Sequence, residues 1–156
     1  MLTDRELERY HRQIIFPGWG VEAQERLRGI TIAVAGAGGL GSPASIYLAA
    51  AGFGRIIVID PDEVELSNLN RQILHWQEDI GVKKALSAAS KLRRLNPDVE
   101  IIPIAERLTD ENAEELLGEA DGIIDALDNI PTRYVLNRFA LKKGIPLFHG
   151  AVWGFE

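Results

Sequence analysis

The segment from Ile30 to Gly41, ITIAVAGAGGLG, joins an apolar strand to a glycine-rich turn and the start of a helix. Glycine allows such a turn to be tight and allows a ligand to approach the backbone closely. Unpaired N–H groups and the positive end of the helix dipole favour an anion at this point. The pattern predicts a phosphate-binding turn that contains Gly36, Gly38, Gly39 and Gly41.

A second apolar strand, RIIVID, ends in the carboxylate of Asp60. In dinucleotide-binding sheets an acid at this position binds a ribose hydroxyl. A glycine-rich motif alone is a weak signal, because it also occurs as a purely structural turn. Its position between a strand and a helix, with Asp60 after the next strand, makes the signal stronger. The two features together predict a site for an adenine nucleotide.

The connection that follows Asp60 is unusually polar for a crossover between strands. It contains Arg71, and it leads to a predicted helix start that carries Lys84. Both basic residues follow the strand that ends at Asp60, so we expect them on the same side of the nucleotide. A solvated surface charge is the usual role of a lone lysine. The position beside the glycine-rich turn favours phosphate binding instead.

The later strand GIID ends in Asp125 and is followed by Asp128, which brings two carboxylates to the carboxyl edge of the predicted sheet. We expect Asp128 to face the phosphates and to hold Mg²⁺, which takes one or two carboxylates with waters and phosphate oxygens. The alternative for Asp128 is a helix N-cap ahead of Pro131. Asp125 and Asn129 are predicted to be turn and cap residues.

Strands and helices alternate from Ile30 onwards, which is typical of a parallel sheet with right-handed crossovers. The predicted fold class is α/β, a Rossmann-like, doubly wound and mainly parallel sheet preceded by an N-terminal helical arm. Residues 1–28 are assigned to the arm and residues 29–156 to the nucleotide-binding domain. Five strands are expected, at 30–35, 55–59, 99–104, 121–125 and 146–151.

Helix boundaries are indicated by caps and by apolar spacing. A capping box at Thr3–Glu6 opens a short helix in the arm, and a second short helix is expected near 21–27. Both are too small to be stable alone, so they must pack on the core or on a partner. The helix expected from Val82 to Leu95 has one apolar stripe, formed by Val82, Leu86, Ala89 and Leu92.

Composition excludes several classes of protein. The net charge of −6 over 156 residues argues against a general nucleic-acid or anionic-membrane surface. The absence of cysteine excludes a disulfide, a thiolate zinc site and a cysteine nucleophile within these residues. Glycines and Pro43 interrupt the uncharged stretch 29–54, so burial in a sheet explains it better than a membrane span. The N-terminus lacks the apolar core of a signal peptide, which predicts a cytoplasmic protein.

Four segments together resemble the ThiF/MoeB/HesA adenylyltransferases, relatives of the ubiquitin-activating enzymes. They span nearly the whole chain in the order expected for that family. The SNLNRQ segment is the most specific, because a nicotinamide-dependent dehydrogenase has no reason to carry it after its acidic strand end. The segments are RYHRQI at 9–14, GAGGLG at 36–41, DPD at 60–62 with SNLNRQ at 67–72, and ALDN at 126–129.

The resemblance implies ATP-dependent adenylation of the C-terminal glycine of a ubiquitin-like sulfur carrier, of the ThiS or MoaD type with a C-terminal Gly-Gly. The products would be an acyl-adenylate and pyrophosphate. Arg12 would reach the ATP of the neighbouring subunit, so the active unit would be a homodimer. Asp62 and Asn68 would border the nucleotide.

The same resemblance implies a role for each remaining site residue. Gly39 and its turn would approach the phosphates, Asp60 would bind the ribose, and Asp128 would coordinate Mg²⁺. Arg71 and Lys84 would neutralise the triphosphate. A carboxylate substrate is itself the nucleophile and needs no general base. The histidines are therefore predicted to be structural rather than catalytic: His11, His75 and His149.

Two other functions stay open at this point. A nicotinamide-dependent oxidoreductase could use the same turn and Asp60, although the chain offers no candidate for a hydride-transfer partner. A non-catalytic scaffold would bind a nucleotide or a carrier without exchanging pyrophosphate.

The later segments of the family, with a crossover loop and often paired CxxC motifs, do not occur in this sequence. The sequence ends with aromatic residues just after a predicted strand. Either these residues pack on the sheet or across a dimer interface, or the chain is a fragment of a longer protein. We expect the fragment, an N-terminal nucleotide-binding portion. The choice among thiamin, molybdopterin, other sulfur-insertion and tRNA-modification pathways also stays open.

Overall fold

A computed structural model describes residues 1–152 and residue 154 of the chain. The terminal aromatic residues Trp153 and Phe155 lie outside the described residues. The strands are β1 (Thr31–Ala35), β2 (Arg55–Ile59), β3 (Glu100–Ile104), β4 (Gly122–Asp125) and β5 (Leu147–His149). The helices are α1 (Asp4–Arg9), α2 (His11–Ile14), α3 (Gly20–Arg28), α4 (Gly41–Ala51), α5 (Lys84–Leu95), α6 (Ala113–Leu117) and α7 (Ile130–Lys143).

The five described strands form one parallel sheet in the order β3-β2-β1-β4-β5. The Rossmann-like, doubly wound prediction is therefore confirmed. Strand order reverses between β1 and β4, since β1 pairs with β2 on one side and with β4 on the other. A crevice at the carboxyl ends of the strands is expected at such a reversal, and this is where ligands of α/β sheets bind.

The sheet is buried on both faces, which explains why its central strands are apolar almost throughout. Ile32 and Val34 of β1 belong to the core cluster beneath α4 and α5. Ala33 and Ala35 belong to the cluster on the opposite face, beneath α6 and α7. Alternate residues of one strand therefore pack against two different helical layers.

The uncharged segment 29–54 divides into β1, a turn and α4, as predicted. Across residues 1–152 and 154, no helix combines the length and apolar character that a membrane span requires.

The predicted apolar stripe on α5 is wrong in part. Val82 precedes the helix, and it and Leu86 are 39% and 50% exposed. The buried face consists mainly of small side chains, namely Ala85, Ala88, Ala89 and Leu92. Alanines allow the helix to lie close to the sheet, so that large apolar residues are not needed for burial. The same face buries Lys84 at the start of the helix.

The N-terminal arm begins with the predicted capping box, in which Thr3 and Glu6 bond reciprocally. It packs on the core through Tyr10, which is 4% exposed. The Tyr10 hydroxyl accepts a hydrogen bond of 2.8 Å from Asn96 Nδ2. Gly52 provides the space, because a Cβ there would lie 2.5 Å from the Tyr10 ring. Of the two expected supports for the arm, the core or a partner, the structure shows the core.

Two glutamines dock the arm at the C-terminal end of α4. Gln13 Nε2 and Gln24 Nε2 donate to the carbonyl oxygen of Ala51, at 2.8 and 2.9 Å. The last carbonyl groups of a helix have no partner within that helix, so these donors satisfy one of them. The arm is therefore fixed at the end of α4 that lies farthest from the glycine-rich turn.

Candidate functional site

A cleft of about 1600 Å³ opens at the carboxyl ends of β1, β2 and β4. It lies at the predicted reversal of strand order. Most of the predicted site residues line it: Gly36, Gly38, Gly39, Asp60, Asp62, Arg71, Lys84 and Asp128. Groups that are far apart in the sequence therefore face one cavity.

Two glycines of the turn are required by packing. Gly36 has φ of +96°, and a Cβ on it would lie 2.7 Å from the carbonyl oxygen of Ala126. A Cβ on Gly41 would lie 1.8 Å from the carbonyl oxygen of Gly36. No side chain fits in either place, so these glycines shape the turn and allow α4 to start close to the sheet.

Gly38 and Gly39 are not required by packing. A Cβ on either would meet its nearest neighbour at 3.5 or 3.7 Å, which is ordinary contact. Among the described residues, the N–H groups of Gly38, Gly39 and Leu40 have no acceptor. No side chain caps the start of α4. Unpaired N–H groups at a helix N-terminus, without side chains in front of them, are suited to a phosphate group.

Asp60 lies directly after β2 and is 6% exposed. Its Oδ2 accepts from the N–H of Ala37 at 2.8 Å, and its Oδ1 accepts from the N–H of Asp62 at 2.9 Å. A buried carboxylate fixed by two backbone donors has defined orientation and still has free lone pairs. It can accept hydrogen bonds from vicinal hydroxyl groups placed in the cleft.

Lys84 is buried at the first position of α5, and its Nζ lies 3.5 Å from Asp62 Oδ2. Burial of an ammonium group costs free energy unless the group is well paired. A cation in the first turn also opposes the helix dipole. Neither effect stabilises the fold, and a cation at this position is suited to bind an anion in the cleft.

Arg71 is exposed and reaches across the turn. Its Nη1 donates to the Ser67 carbonyl at 2.9 Å and to Asn70 Oδ1 at 3.0 Å. Its Cγ would lie 3.7 Å from a Cβ on Gly39. The stem of the Arg71 side chain therefore lies beside Gly39, and its guanidinium group is held by Ser67 and Asn70 of its own loop.

Three polar residues at the end of β4 and in the loop after it have different roles, namely Asp125, Asp128 and Asn129. Asp125 Oδ1 accepts from the Leu127 N–H at 3.1 Å, and Asn129 Oδ1 accepts from the Thr132 N–H at 3.1 Å. Asp125 is thus the turn residue and Asn129 the cap of α7, as predicted. Asp128 is not the cap, and its exposed carboxylate has no hydrogen-bond partner within the described part of the chain.

The donor set at Asp128 fits a magnesium ion that is shared with a phosphate ligand. Among residues 1–152 and 154, no group of three or more His, Asp or Glu residues forms a metal cage. Mg²⁺ does not need such a cage, because it usually keeps several waters and binds one or two carboxylates plus phosphate oxygens.

Three of the predicted site residues do not line the cleft: Gly41, Asn68 and Arg12. Gly41 acts through packing, as described above. Asn68 is 8% exposed, and its Oδ1 accepts from the Glu65 N–H at 3.0 Å. Asn68 therefore supports the short turn that leads to Arg71. Arg12 is exposed on the arm, next to the residue that binds the far end of α4.

Gln72 is a cleft residue to which the sequence analysis assigned no role. It is 5% exposed, and its buried Oε1 has no partner in the structure. Its Nε2 would lie 3.5 Å from a Cβ on Gly38. A buried amide oxygen without a partner costs free energy. The position of Gln72 in the SNLNRQ segment was the available signal, but that segment does not indicate which side chains point into the cleft.

The ThiF family matches residues 10–156 of the chain. The sulfur carrier protein adenylyltransferase of Thermus thermophilus is 51% identical over 99% of this chain, and the SAMP-activating enzyme E1 of Haloferax volcanii is 49% identical over 99%. The chain spans 57% of the length of each of these relatives.

Among solved structures, E. coli tRNA N6-threonylcarbamoyladenosine dehydratase, TcdA, in complex with ATP is 28% identical with a TM-score of 0.92. The match covers 100% of this chain and 65% of that one. E. coli MccB with AMPCPP and MccA is 27% identical with a TM-score of 0.81, over 92% of this chain and 44% of that one. The family match over nearly the whole sequence, together with these likenesses, establishes that the chain belongs to the ThiF family.

Proposed function

We propose that this protein uses ATP to adenylate the C-terminal glycine of a ubiquitin-like sulfur carrier, with release of pyrophosphate. The observation that carries the proposal is the convergence of unpaired N–H groups, the fixed carboxylate of Asp60 and the cations Arg71 and Lys84 on one cleft. The names of the Thermus thermophilus and Haloferax volcanii relatives support a carrier protein as the substrate.

The nucleotide would lie along the cleft with its ribose at Asp60. That carboxylate is held by two backbone donors and keeps lone pairs for hydroxyl groups. The phosphates would lie over Gly38 and Gly39, where no side chain blocks the backbone. This orientation brings the phosphates to Lys84 at the start of α5.

The chemistry suits fixed charges rather than a proton-transfer residue. A carboxylate oxygen of the carrier attacks the α-phosphorus, an O–P bond forms, and the bond to the β-phosphate oxygen breaks. The carboxylate is already ionised, so no proton has to be removed. The protein must align the two groups and stabilise the charge on the departing pyrophosphate. Among the basic residues that line the cleft, we assign this role to Arg71 and Lys84.

Asp128 would hold the Mg²⁺ ion that accompanies ATP. When bound, the ion would neutralise phosphate charge. The exposed carboxylate of Asp128, which has no partner among the described residues, is suited to this role.

Arg12 would act on the ATP of a neighbouring subunit, so the active unit would be a homodimer. Helix α4 has 11 residues and is about 16 Å long. The turn lies at one end of α4, and the arm is bonded to Ala51 at the other end. An arginine side chain cannot bridge that distance within one subunit. A role for Arg12 in the cleft therefore requires a partner.

A second candidate is activation of a carboxylate on tRNA, because the structural neighbour TcdA is named a tRNA N6-threonylcarbamoyladenosine dehydratase. The net charge of −6 disfavours a polyanionic substrate. A carrier protein as the substrate is also supported by sequence identity, which is 51% and 49% to the Thermus thermophilus and Haloferax volcanii relatives and 28% to TcdA. A carrier-dependent reaction would take place in the cytoplasm, where ATP is available.

ATP–pyrophosphate exchange tests this proposal. The protein is incubated with Mg-ATP, labelled pyrophosphate and a panel of carriers that end in Gly-Gly, with tRNA as a separate arm. Exchange that depends on a carrier supports the proposal and identifies the partner. Exchange that depends on tRNA, or tight binding of NAD with no exchange, would contradict it.

The role of Arg12 is tested with mixed dimers. An Arg12→Ala subunit has an intact cleft but no active arm, and an Asp128→Ala subunit has the reverse. Mixing the two inactive variants should restore about one active site per mixed dimer. If dimers form and exchange subunits without any recovery of activity, action of Arg12 between subunits is refuted.

A further inference from the structure

His75 lies buried beneath the glycine-rich turn and is 3% exposed. Its Nε2 lies 2.7 Å from the carbonyl oxygen of Ala37, the residue between the first two glycines of the turn. Its Nδ1 lies 2.8 Å from Ser87 Oγ on α5. The imidazole therefore connects the turn to the helix that carries Lys84.

The directions of these hydrogen bonds follow from the groups at the two ends. The Ala37 carbonyl can only accept, so His75 Nε2 carries a proton. At the other end, Lys91 Nζ can only donate, and it donates to Ser87 Oγ at 2.8 Å. The Ser87 hydroxyl is then free to donate to His75 Nδ1. The ring is therefore in the Nε2–H tautomer.

Lys91 is itself fixed. It is paired with Asp79, and its Nζ lies 5.1 Å from the centre of the Trp76 ring. One connected network therefore reaches from Asp79 and Lys91 through Ser87 and His75 to the backbone of the turn. A fully satisfied buried network of this kind makes its members rigid.

The bond to Ala37 has a consequence for the neighbouring N–H group. In a trans peptide the C=O and N–H groups point in opposite directions. When His75 holds the Ala37 carbonyl on the buried side, the N–H of Gly38 in the same peptide is held on the other side. Gly38 lines the cleft, and its N–H has no acceptor among the described residues. The preceding peptide is fixed as well, because Asp60 accepts from the Ala37 N–H at 2.8 Å.

We propose that His75 is a positioning residue that holds the Gly38 N–H toward the phosphates of ATP, with its tautomer set by Ser87 and Lys91. The inference rests on the proposed ATP-binding function. It gives His75 no contact with substrate, and it accounts for an imidazole at this buried position.

The charge state of the ring is consistent with this role. Burial lowers the pKa of His75 below its ordinary value of 6.5. The Ala37 carbonyl and Asp60 act in the opposite direction, whereas the nearby cations Lys91 and Lys84 lower this pKa further. The net shift is downward, so the ring is neutral near pH 7.

Binding of ATP and of adenosine by the intact protein tests the proposal, because adenosine retains the ribose and lacks the phosphates. His75→Leu is expected to weaken ATP binding about tenfold or more while leaving adenosine binding unchanged. His75→Gln, whose amide can donate to Ala37, should retain most of the affinity. Ser87→Ala removes the donor to Nδ1 without touching the turn and should give a smaller loss. Ser90→Ala, an exposed serine on the same helix, is the matched control.

The tautomer is measured independently by ¹⁵N NMR of the His75 ring. A neutral ring protonated on Nε2 supports the proposal even if His75→Leu fails to fold. A ring protonated on Nδ1 overturns it. A folded His75→Leu variant with wild-type ATP affinity, or with equal losses for ATP and adenosine, also overturns it. If wild-type protein fails to bind ATP, the proposed function fails instead. The tautomer measurement still shows whether His75 donates to the Ala37 carbonyl and so fixes the turn.

Discussion

The same methyl group, added at two glycines of one turn, should destabilise the protein at Gly41 and leave its stability unchanged or slightly higher at Gly39. A Cβ on Gly41 would lie 1.8 Å from a backbone oxygen, so the start of α4 would have to move. A Cβ on Gly39 would make an ordinary contact, 3.7 Å from Arg71 Cγ. Gly39 also does not have a positive φ, so alanine can adopt its backbone conformation.

The magnitudes follow from these distances. For Gly41→Ala we expect a loss of about 3 kcal/mol or more in the free energy of unfolding, since a backbone atom rather than a flexible side chain is in the way. For Gly39→Ala we expect a change between zero and a gain of about 1 kcal/mol, because alanine restricts the unfolded chain. Binding should behave differently from stability, because the Gly39 methyl would stand where a phosphate approaches the backbone. A loss of about tenfold or more in ATP affinity is expected, or about 1.4 kcal/mol or more.

Urea unfolding and ATP titration of the two variants and the wild type provide the test. The expected result is a Gly39→Ala protein that is as stable as wild type and deficient in ATP binding, and a Gly41→Ala protein that is strongly destabilised. The reasoning is refuted if Gly39→Ala is destabilised like Gly41→Ala, or if it binds ATP with wild-type affinity.

Three further outcomes are expected from the same structure. Lys84→Met should keep or raise the free energy of unfolding, because it removes a buried cation from the first turn of α5. Urea unfolding measures this change. ATP titration of the same variant should show at least about a tenfold loss of affinity. Tyr10→Phe should lower the free energy of unfolding by about 1 kcal/mol in urea unfolding, since it removes the acceptor of the Asn96 Nδ2 bond. The pKa of His75 is lowered from 6.5, so its contribution to stability is fully present above pH 6.5 and is lost as the pH falls below that value. Urea unfolding of wild type and His75→Gln on both sides of pH 6.5 should show a smaller acid loss in the variant, and equal losses would contradict the assignment.

The fold was largely predictable from the sequence, because apolar runs and glycine turns mark a parallel sheet directly. Strand bounds agree to within two residues, as for β5, which was expected to reach 151 and ends at His149. The buried face of α5 was not predictable from the usual preference for large apolar residues. Its contact surface is made mainly of alanines, and the exposed Leu86 gave a misleading signal.

The sequence predicted the cleft residues that follow strand ends. Asp60 and the glycine-rich turn follow strands whose carboxyl ends must meet at one edge of the sheet. Gln72 and His75 lie in an irregular connection, where no periodicity indicates which side chains point inward. Their burial beneath the turn depends on how the connection folds back over α5, and this depends on contacts between residues that are distant in the sequence.

Transfer of AMP to the carrier tests the central claim most directly. A Gly-Gly carrier, the protein and Mg-ATP are mixed, quenched rapidly and analysed by intact mass, beside a carrier without its last glycine and the Asp128→Ala protein. The account predicts that the intact carrier gains one AMP, that pyrophosphate is released in equal amount, and that both controls stay unmodified. Bound ATP with no AMP on any carrier, or equal modification of the shortened carrier, would contradict it.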